Sequence, residues 1–496
     1  MTPRKQNTMQ RRAKQAAKKH SAARNQTPKK ASGAKARVDD AHRLYGLKPV
    51  PYAETNSSDS IGISQRLKAS PPAKLQRAEI EKPVYGGAFV ARIEGKAVFV
   101  PLTLPGEQAQ VRITSSKRGY ETAEAEEILH AAPERIAPAC PHFGLCGGCH
   151  YQHTHYKTQL AFKQAILRET LERGGVRAPH EIHVLSAEPW AYRNRIRLAF
   201  DAAGNLGYRG RRSHALVPIH ECPIAAPLLV MAAQAFAEIA RESLPALRPT
   251  EIALFSDAAE TALLATIFNA KASRMRFEEF SQQLHERIPA LIGAELAVAG
   301  YAEEQARTLA QWGATSLAYR AAGFDYRVDH GAFFQVNRFL VNALVERVIA
   351  DHHGKLAWDL FSGVGLFARQ LASRFERVVA VESAPSAKSA LKDNLCGSSG
   401  EPVYSDTLAF LRRSRKSEAP GLIVVDPPRT GLGAETCALL GEIAAPSLVY
   451  VSCDPATLAR DLRALIASGY LIQSLTLADL FPQTFHLETV VHLRRA

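Results

Sequence analysis

Two strand-like segments end in residues that could carry acid–base and nucleophilic chemistry. The segment IVVDPPR ends an apolar run in Asp426 and places Arg429 three residues later. Proline fixes φ, so Pro427 and Pro428 hold the carboxylate and the guanidinium in a defined geometry. The next apolar run, VYVSCDP, ends in Cys453. A thiol at this position is a candidate nucleophile, and the alternative is the inert buried cysteine that is common in protein cores.

A third strand-like segment ends in a glycine-rich turn. Asp359 lies near the end of the apolar run LAWDLF, and Gly363 and Gly365 follow that run. Glycine lets the backbone approach a ligand closely and adopt positive φ. Glu382 ends the next apolar run, where its carboxylate could accept both hydroxyls of a ribose. No third glycine stands in register, which disfavours NAD, and a purely structural turn stays open as the alternative.

Four of the seven cysteines form a candidate metal site. Cys140, Cys146 and Cys149 lie close together in the sequence, and Cys222 follows much later. Four thiolates suit an iron–sulfur cluster or a zinc ion. The spacing lacks the two Cys-x-x-Cys pairs of a zinc ribbon, whereas the neighbouring histidines keep zinc open. Seven cysteines in a chain of this size do not indicate a disulfide framework.

An alternation of strands and helices in residues 331–496 must position the candidate catalytic residues. Five apolar strands each precede a helix-compatible stretch, namely LAWDLF, RVVAVE, PVYSD, GLIVVDPP and SLVYVSC. This alternation predicts a parallel sheet covered on both faces, with ligands beyond the carboxyl ends of its strands. The predicted fold class is therefore α/β, with a Rossmann-like terminal domain.

Composition divides the preceding part of the chain into three regions. Residues 1–78 are rich in Lys, Ala, Ser and Pro, which predicts a disordered basic extension. Residues 79–135 alternate β-branched runs with Gly-Gly and Pro-Gly turns, which predicts a small OB-like β-barrel. Such a barrel either binds single-stranded nucleic acid or serves as a structural module. Residues 136–330 are predicted to form a mixed α+β central domain.

The net charge of +14 is concentrated at the amino end. Residues 1–40 contain twelve Lys or Arg and two Asp, a balance of +10. This predicts an arm that neutralises RNA phosphates, with a solubilising tail as the alternative. No apolar run approaches the roughly 20 residues of a membrane span, and the first residues lack the apolar core of a secretory signal. We therefore expect a cytoplasmic monomer that binds RNA and no membrane, with a mitochondrial transit peptide as the less favoured interpretation of the amino end.

Taken together, the motifs resemble the tRNA and ribosomal RNA uracil-5-methyltransferase family. DLFSGVGLFA resembles the family's cofactor loop, DPPRTGL its substrate loop, SCDPATLARDL its nucleophile loop and PQTFHLE its carboxyl-terminal base motif. FFQVN resembles the motif whose glutamine contacts the methionine part of the cofactor, and PLTLPGE resembles a turn of the family's TRAM barrel. The motifs occur in the family's order, and the match runs from about residue 80 to the carboxyl terminus.

The resemblance implies a class I methyltransferase that transfers a methyl group from S-adenosylmethionine to carbon 5 of a uridine in RNA. It implies that Cys453 adds to carbon 6, that Glu488 acts as the general base, and that Asp426 and Arg429 contact the substrate. Arg429 is also expected to raise the thiolate fraction of Cys453. The cofactor-binding residues that it implies are Gln335, Phe361, Gly363, Glu382, Asp406 and Asp426.

The segment CPHFGLCGGC resembles the family's cluster motif. It implies a four-iron, four-sulfur (4Fe-4S) cluster held by Cys140, Cys146, Cys149 and Cys222. The presence of this motif favours 23S rRNA over transfer RNA as the substrate.

One departure from the family pattern and two competing functions remain. Leu366 stands where many relatives carry asparagine, so a polar side-chain contact to the cofactor is lost there.

An amino-methyltransferase is one alternative, because an acid followed by Pro-Pro also occurs in such enzymes. In those enzymes an aromatic residue usually follows the two prolines, whereas this chain has Arg429 at that position. Cys453 would also have no function in such an enzyme. The other alternative is a non-catalytic RNA-binding or ribosome-assembly protein, which Cys453 and Glu488 disfavour.

Overall fold

A computed structural model describes residues 75–496 apart from four short internal segments. These segments are 202–203, 248, 269–272 and 299–305, and of 242–247 only the backbone is described. The predicted basic extension falls outside the described residues up to position 74. None of the helices in the described ranges combines the length and the apolar character that a membrane crossing requires.

Five strands close a small barrel at the start of the described chain, as the sequence predicts. Neighbouring strands around it run in the order β1, β2, β3, β5, β4. Glu94 and Gly95 adopt φ values of 50° and 78° in the β2–β3 turn, which is the backbone that a two-residue hairpin requires. Buried side chains such as Phe89 and Val98 fill the interior. The strands are β1 (Leu75–Pro83), β2 (Ala88–Ile93), β3 (Lys96–Pro101), β4 (Gln108–Ser116) and β5 (Tyr120–His130).

The middle of the chain builds a second sheet of seven strands. Its order is β13, β12, β11, β10, β7, β8, β9, and helices α2 and α3 pack on it. A separate hairpin, β14–β15, leads toward the last domain. The elements are α1 (Tyr156–Arg173), β6 (His183–Leu185), β7 (Arg195–Phe200), β8 (Leu206–Arg209), β9 (Leu216–Pro218), α2 (Pro227–Leu247), β10 (Glu251–Ser256), β11 (Leu263–Phe268), α3 (Arg274–Arg287), β12 (Leu291–Val298), β13 (Arg307–Gly313), β14 (Ser316–Ala321) and β15 (Phe324–Asp329).

The last part of the chain forms the predicted α/β sheet. Its order is β18, β17, β16, β19, β20, β22, β21, β6, and the first five of these strands run parallel. The elements are α4 (Val341–Ile349), β16 (Gly354–Leu360), α5 (Leu366–Leu371), β17 (Phe375–Glu382), α6 (Lys388–Leu395), β18 (Gly400–Tyr404), α7 (Thr407–Ser414), β19 (Leu422–Val425), α8 (Gly433–Ile443), β20 (Ser447–Ser452), α9 (Pro455–Ala467), β21 (Tyr470–Ala478) and β22 (Glu488–Arg495).

Both faces of this sheet are buried, which explains why its strands read as continuous apolar runs. Along β17, Val378 and Ala380 belong to one apolar cluster, whereas Val379 and Val381 belong to another. The two clusters lie on opposite faces because successive side chains of a strand alternate. The parallel strands therefore direct their carboxyl ends, and the polar residues that follow them, to one edge.

The segment after the cysteine motif also contributes to this sheet. β6 pairs in parallel with β21, with His183 opposite Thr476. Helix α1 packs on α9 so closely that a Cβ on Gly174 would lie 2.6 Å from the Cβ of Ala459. The predicted domain bounds at 79–135, 136–330 and 331–496 stay predictions, and β6 shows that the predicted central range supplies one strand of the last sheet.

Candidate active site

Three strands of the last sheet bring the predicted catalytic residues together. Asp426 follows β19 and Cys453 follows β20, its parallel neighbour. Glu488 opens β22, which runs antiparallel to β20 with Ser452 opposite Thr489. Residues far apart in the sequence therefore meet at one edge. The structure places Cys453, Asp426 and Glu488 close enough to influence one another's ionisation.

The thiol of Cys453 is held in its protonated form. Burial raises the pKa of this half-buried thiol well above its ordinary range, and the carboxyl groups of Glu488 and Asp426 raise it further. Arg429 lowers the same pKa. Arg429 therefore acts in the expected direction, but burial and the two neighbouring acids outweigh it. Burial disfavours the charged thiolate, and an ionised carboxylate nearby repels it.

Two carboxyl groups share the floor of the site. Burial raises the pKa of Asp426 to about 7. Burial also raises the pKa of Glu488 well above its usual value, and Asp426 adds to that shift while Arg429 opposes it. Two buried acids that are close together resist ionising simultaneously. The pair can therefore hold and release a proton near neutral pH.

The loop that carries Arg429 is fastened to helix α9. Thr457 donates its hydroxyl to the carbonyl of Arg429 at 3.1 Å, and the N–H of Leu432 donates to Asp461 at 2.7 Å. Gly431 adopts a φ of 71°, and a Cβ there would meet the Asp461 carboxylate at 2.4 Å. The guanidinium lies 3.3 Å from Nδ1 of His486, in the base motif.

Helix α9 begins directly after the candidate nucleophile. Asp454 is its N-cap and accepts the N–H groups of Ala456 at 3.0 Å and Thr457 at 2.9 Å. Pro455 occupies the first helical position, where its missing N–H costs nothing. The sequence Ser-Cys-Asp-Pro thus fixes the backbone of Cys453 between a strand end and a helix start.

The glycine turn after β16 is organised by Glu382. One carboxylate oxygen accepts the N–H of Gly363 at 2.7 Å, and the other accepts those of Ser383 at 2.7 Å and Ala384 at 2.6 Å. Gly363 has a φ of 56°, and no atom lies within 4 Å of the position a Cβ would take. Each carboxylate oxygen has further lone-pair capacity, so Glu382 is fixed in place and can still accept a hydroxyl group.

Asp359 is a buried carboxyl group for which sequence reasoning assigned no role. One oxygen accepts the N–H of Ala368 at 2.8 Å, whereas the other is buried without a hydrogen-bond partner. Burial raises its pKa well above the usual range, and Asp426 and Glu382 raise it further. A buried polar atom without a partner is costly, which is consistent with a cationic ligand binding beside it.

The segment around Gln335 is tied to the middle sheet. Gln335 is buried, and its carbonyl accepts the side-chain amide of Asn194 at 2.9 Å. The same amide donates to the hydroxyl of Tyr319 at 3.0 Å. Asn194 immediately precedes β7, so the predicted cofactor glutamine is positioned by the residue that leads into a strand of the other sheet.

Two further predicted cofactor residues, and Leu366 of the cofactor loop, differ in their setting. Phe361 is half-buried with a φ of 64° at the start of the turn. Asp406 is exposed and caps α7 by accepting the N–H of Ala409 at 3.0 Å, which is a structural role in its own right. Leu366 buries its side chain in the core, and its carbonyl accepts the hydroxyl of Tyr326 at 3.1 Å.

The barrel supplies a residue that sequence reasoning missed. Tyr85 interacts electrostatically with Asp454, Arg429 and Cys453, and its ring contacts Phe485 edge-on at a centroid distance of 5.5 Å. Burial raises the pKa of its hydroxyl, and Asp454 raises it further. A tyrosine before the Gly-Gly turn is the only local signal, and it does not indicate a contact with the distant nucleophile.

The four predicted metal-binding cysteines line one cavity of about 310 Å³. All four are free thiols and half-buried. Burial raises the pKa of Cys149 to about 12, and it also raises that of Cys140 and Cys146. Within the described residues, no group of three His, Cys, Asp or Glu side chains is arranged to hold a metal ion. His486 lines the same cavity, so it borders the base motif.

Comparison with known proteins identifies the family. A family model described as tRNA (Uracil-5-)-methyltransferase matches residues 414–496, and a TRAM domain model matches residues 73–125. The 23S rRNA (uracil(1939)-C(5))-methyltransferase RlmD of Halomonas elongata is 31% identical over 87% of this chain and 94% of its own length. The chain belongs to the RNA uracil-5-methyltransferase family. It is an enzyme that transfers a methyl group to carbon 5 of uracil in RNA, as the motifs predict.

Other relatives of this methyltransferase extend the match. An uncharacterized RNA methyltransferase of Streptomyces avermitilis is 34% identical over 84% of this chain and 98% of its own length. The solved tRNA (uracil-54, C5)-methyltransferase of Pyrococcus abyssi has the same fold, with a TM-score of 0.67 and 23% identity over 84% of this chain and 100% of that chain. That protein was solved with S-adenosyl-L-homocysteine, the demethylated form of S-adenosylmethionine. S-adenosylmethionine is the methyl donor expected of this family.

The electrostatics of Cys453 predict opposite effects of two substitutions. Glu488→Gln removes a negative charge beside the thiol and should lower the pH midpoint of its alkylation by iodoacetamide. Arg429→Gln removes the nearby cation and should raise that midpoint. At a fixed pH below the midpoint, a midpoint that is lower by one pH unit gives about tenfold more thiolate.

Mass spectrometry of tryptic peptides, sampled over time and pH, measures the alkylation of each cysteine separately. The exposed Cys396 is the internal control, and its profile should not change in either variant. An unchanged Cys453 midpoint in Glu488→Gln would contradict the electrostatic assignment.

Proposed function

We propose that this enzyme methylates carbon 5 of a uridine in 23S rRNA through a transient bond between Cys453 and carbon 6. The convergence of Cys453, Asp426, Glu488 and Arg429 at one sheet edge supports this mechanism. A thiol, a cation and two carboxyl groups with raised pKa values are the groups that addition and proton removal require.

The first step uses Cys453 to activate the uracil ring. Carbon 5 is a weak nucleophile, and addition of the thiolate to carbon 6 converts it into an enolate-type nucleophile. One difficult step is thereby divided into two easier ones. Because burial keeps the thiol protonated in the free enzyme, Cys453 ionises as the substrate binds and releases its proton to solvent, and Arg429 stabilises the thiolate that forms.

The second step uses Glu488 as a base. Once carbon 5 carries the methyl group, its proton must leave before the product can be released. Glu488 accepts that proton, the electrons of the C–H bond restore the double bond between carbons 5 and 6, and the sulfur of Cys453 departs as thiolate. The raised pKa of Glu488 makes its ionised form a stronger base than an exposed carboxylate. Asp426, when ionised, can accept the N3–H of the uracil.

When bound, S-adenosylmethionine would supply an electrophilic methyl group, and it would leave as S-adenosylhomocysteine once its sulfur–methyl bond breaks. The glycine turn and the partnerless oxygen of Asp359 suit a ligand that combines ribose hydroxyl groups with positive charge. Glu382 would accept the ribose hydroxyls, and Gln335 would contact the methionine part. The residues proposed to bind the cofactor are Gln335, Phe361, Gly363, Glu382, Asp406 and Asp426.

The choice of 23S rRNA is supported by the relatives. Three bacterial proteins that are 31–32% identical to this chain carry the name 23S rRNA (uracil(1939)-C(5))-methyltransferase. The TRAM barrel brings Tyr85 to the active site, so the barrel is positioned to contact the RNA beside the target. The target base must leave its stack to reach Cys453.

The cysteine cavity is proposed to hold a four-iron, four-sulfur cluster on Cys140, Cys146, Cys149 and Cys222. All four thiols line one cavity of about 310 Å³. In such a cluster each of four thiolates binds a different iron, which matches the number of cysteines in this cavity. The cluster would fix the loop that borders the base motif.

Two substitutions separate the roles of Cys453 and Glu488. Cys453→Ala should abolish methylation and form no covalent complex with RNA. Glu488→Gln should still allow addition and methyl transfer, but the retained carbon 5 proton keeps the sulfur bound. Loss of a general base slows turnover by about 10²–10⁴-fold, so a methylated protein–RNA complex should accumulate.

Denaturing gel electrophoresis with radiolabelled methyl donor measures that complex. A covalent complex formed by Cys453→Ala would overturn the nucleophile assignment. The absence of one in Glu488→Gln, with RNA binding intact, would overturn the base assignment.

The proposed target predicts a single site in ribosomal RNA. Deleting the gene should remove one 5-methyluridine from 23S rRNA and leave transfer RNA unchanged. Nucleoside mass spectrometry of the separated RNAs measures this, with a strain expressing Cys453→Ala as the matched control. Loss of 5-methyluridine from transfer RNA alone would contradict the proposed target.

The proposed cluster predicts a coloured protein. Enzyme purified without oxygen should be brown and contain about four irons per chain. Cys222→Ser should lower the iron content, whereas Cys396→Ser should not change it, because Cys396 is exposed and lies outside the cavity lining. Metal analysis and visible absorption measure both, and one zinc per chain without visible absorption would exclude the cluster.

A further inference from the structure

A second cavity of about 350 Å³ lies on the middle sheet beside the Gln335 segment. Three arginines that alternate along and just before β7 contribute to one side of it, and Val336 lines it next to the proposed cofactor glutamine. The side chains that shape its polar surface are Arg193, Arg195, Arg197, Thr266, Glu295, Asp329 and His330.

Arg195 lacks a balancing charge in this cavity. Its Nε is buried without a hydrogen-bond partner, and among the described residues no carboxylate forms an ion pair with it. Its Nη1 donates to the carbonyl of Ala332 at 2.7 Å, and its guanidinium stacks 4.2 Å above the ring of Phe255. Burial lowers its pKa to about 10. An unpaired cation in such a setting destabilises the free protein.

Arg197, two residues further along the chain, has a carboxylate partner. Its guanidinium stacks 4.4 Å above Phe268, as that of Arg195 does above Phe255. However, its Nε donates to Glu251 at 2.7 Å, so its charge is balanced. The same strand therefore contains one arginine with a carboxylate partner and one without, and the latter faces the cavity with an open donor.

Arg193 adds a second open donor. Its Nε is also buried without a hydrogen-bond partner. Glu295 and Asp329 belong to the same lining, but Asp329 pairs with Arg327 at 2.7 Å and Glu295 accepts Gln311 at 3.3 Å. Asp329 thus has a cationic partner, whereas Glu295 keeps its negative charge, so an anion would bind on the arginine side of the cavity.

We propose that Arg193 and Arg195 bind a backbone phosphate of the RNA substrate. Guanidinium groups bind phosphate oxygens through paired N–H donors. The proposal rests on RNA as the substrate and adds a contact outside the reacting base. A phosphate at this position compensates a charge that the free enzyme leaves unpaired.

The position of the cavity connects this contact to the active site. Asn194 lies between the two arginines, and its side chain holds the carbonyl of Gln335 at 2.9 Å. Its backbone N–H donates to Val336 at 3.0 Å. Asn194, which positions the Gln335 segment, is thus adjacent in sequence to both arginines. A phosphate bound by Arg193 and Arg195 would therefore lie near the target nucleotide.

Arg195→Met tests the proposal, because methionine retains the length of the side chain and removes its charge. Binding of transcribed 23S rRNA should weaken, and the slope of log K against log salt should fall by about 0.7, the value of one phosphate contact on single-stranded RNA. The melting temperature of the RNA-free enzyme should not fall. Arg320→Met is the control, since Arg320 is exposed and paired with Asp325, and its salt slope should match the wild type.

Three outcomes would overturn the proposal. An unchanged salt slope in Arg195→Met excludes the phosphate contact. An unchanged slope together with a lower melting temperature would assign Arg195 to the fold alone. Inorganic phosphate could raise the melting temperature of the wild type but not of Arg195→Met, while the two proteins have the same salt slope for RNA binding. That result would indicate a site for free phosphate and not for RNA. Failure of the proposed function would give a different result from failure of the phosphate contact, because the wild-type enzyme would then leave 23S rRNA unmethylated.

Discussion

A buried ion pair between Lys163 and Asp479 holds the active site to the middle of the chain. The two side chains are fully buried and 2.5 Å apart, and Lys163 also donates to the carbonyl of Phe481 at 2.9 Å. Burial lowers the pKa of Lys163, while Asp479 opposes that shift. Removing one partner of such a pair leaves an uncompensated charge, at a cost of about 3–5 kcal/mol. Helix α1 and the loop before β22 are thus fixed to each other.

That loop connects the two chemical centres of the molecule. Gln483 bonds with Gln159 of α1 and accepts the N–H groups of His150 and Tyr151, which follow the cysteine motif. Three residues later, His486 lies on the cysteine cavity and beside Arg429. Glu488 then begins β22. The cysteine loop is therefore joined to the base motif by hydrogen bonds through Gln483, and the cluster proposed for that loop would hold both in place.

The sequence predicted those parts of the site that depend on local structure. Asp426 and Cys453 each follow a short apolar strand, Glu382 ends another, and the carboxyl ends of parallel strands meet at one edge. Glu488 lacked such a signal, since it opens an antiparallel strand, and only the family motif indicated it. Tyr85 and Lys163 were not predicted, because their roles arise from contacts between distant segments. The same holds for β6, whose three residues are too few to show a strand pattern.

The electrostatic balance of the site explains why these distant contacts matter. Asp359, Asp426 and Glu488 are carboxyl groups whose pKa values are raised by burial, and the thiol of Cys453 is protonated beside them. Arg429 is the cation that acts on both the thiol and the base. A positively charged methyl donor favours the ionised carboxylates, and substrate binding excludes the water that would weaken these interactions. The free enzyme therefore keeps the thiol of Cys453 protonated, and we expect bound ligands to supply the charge that favours its ionisation.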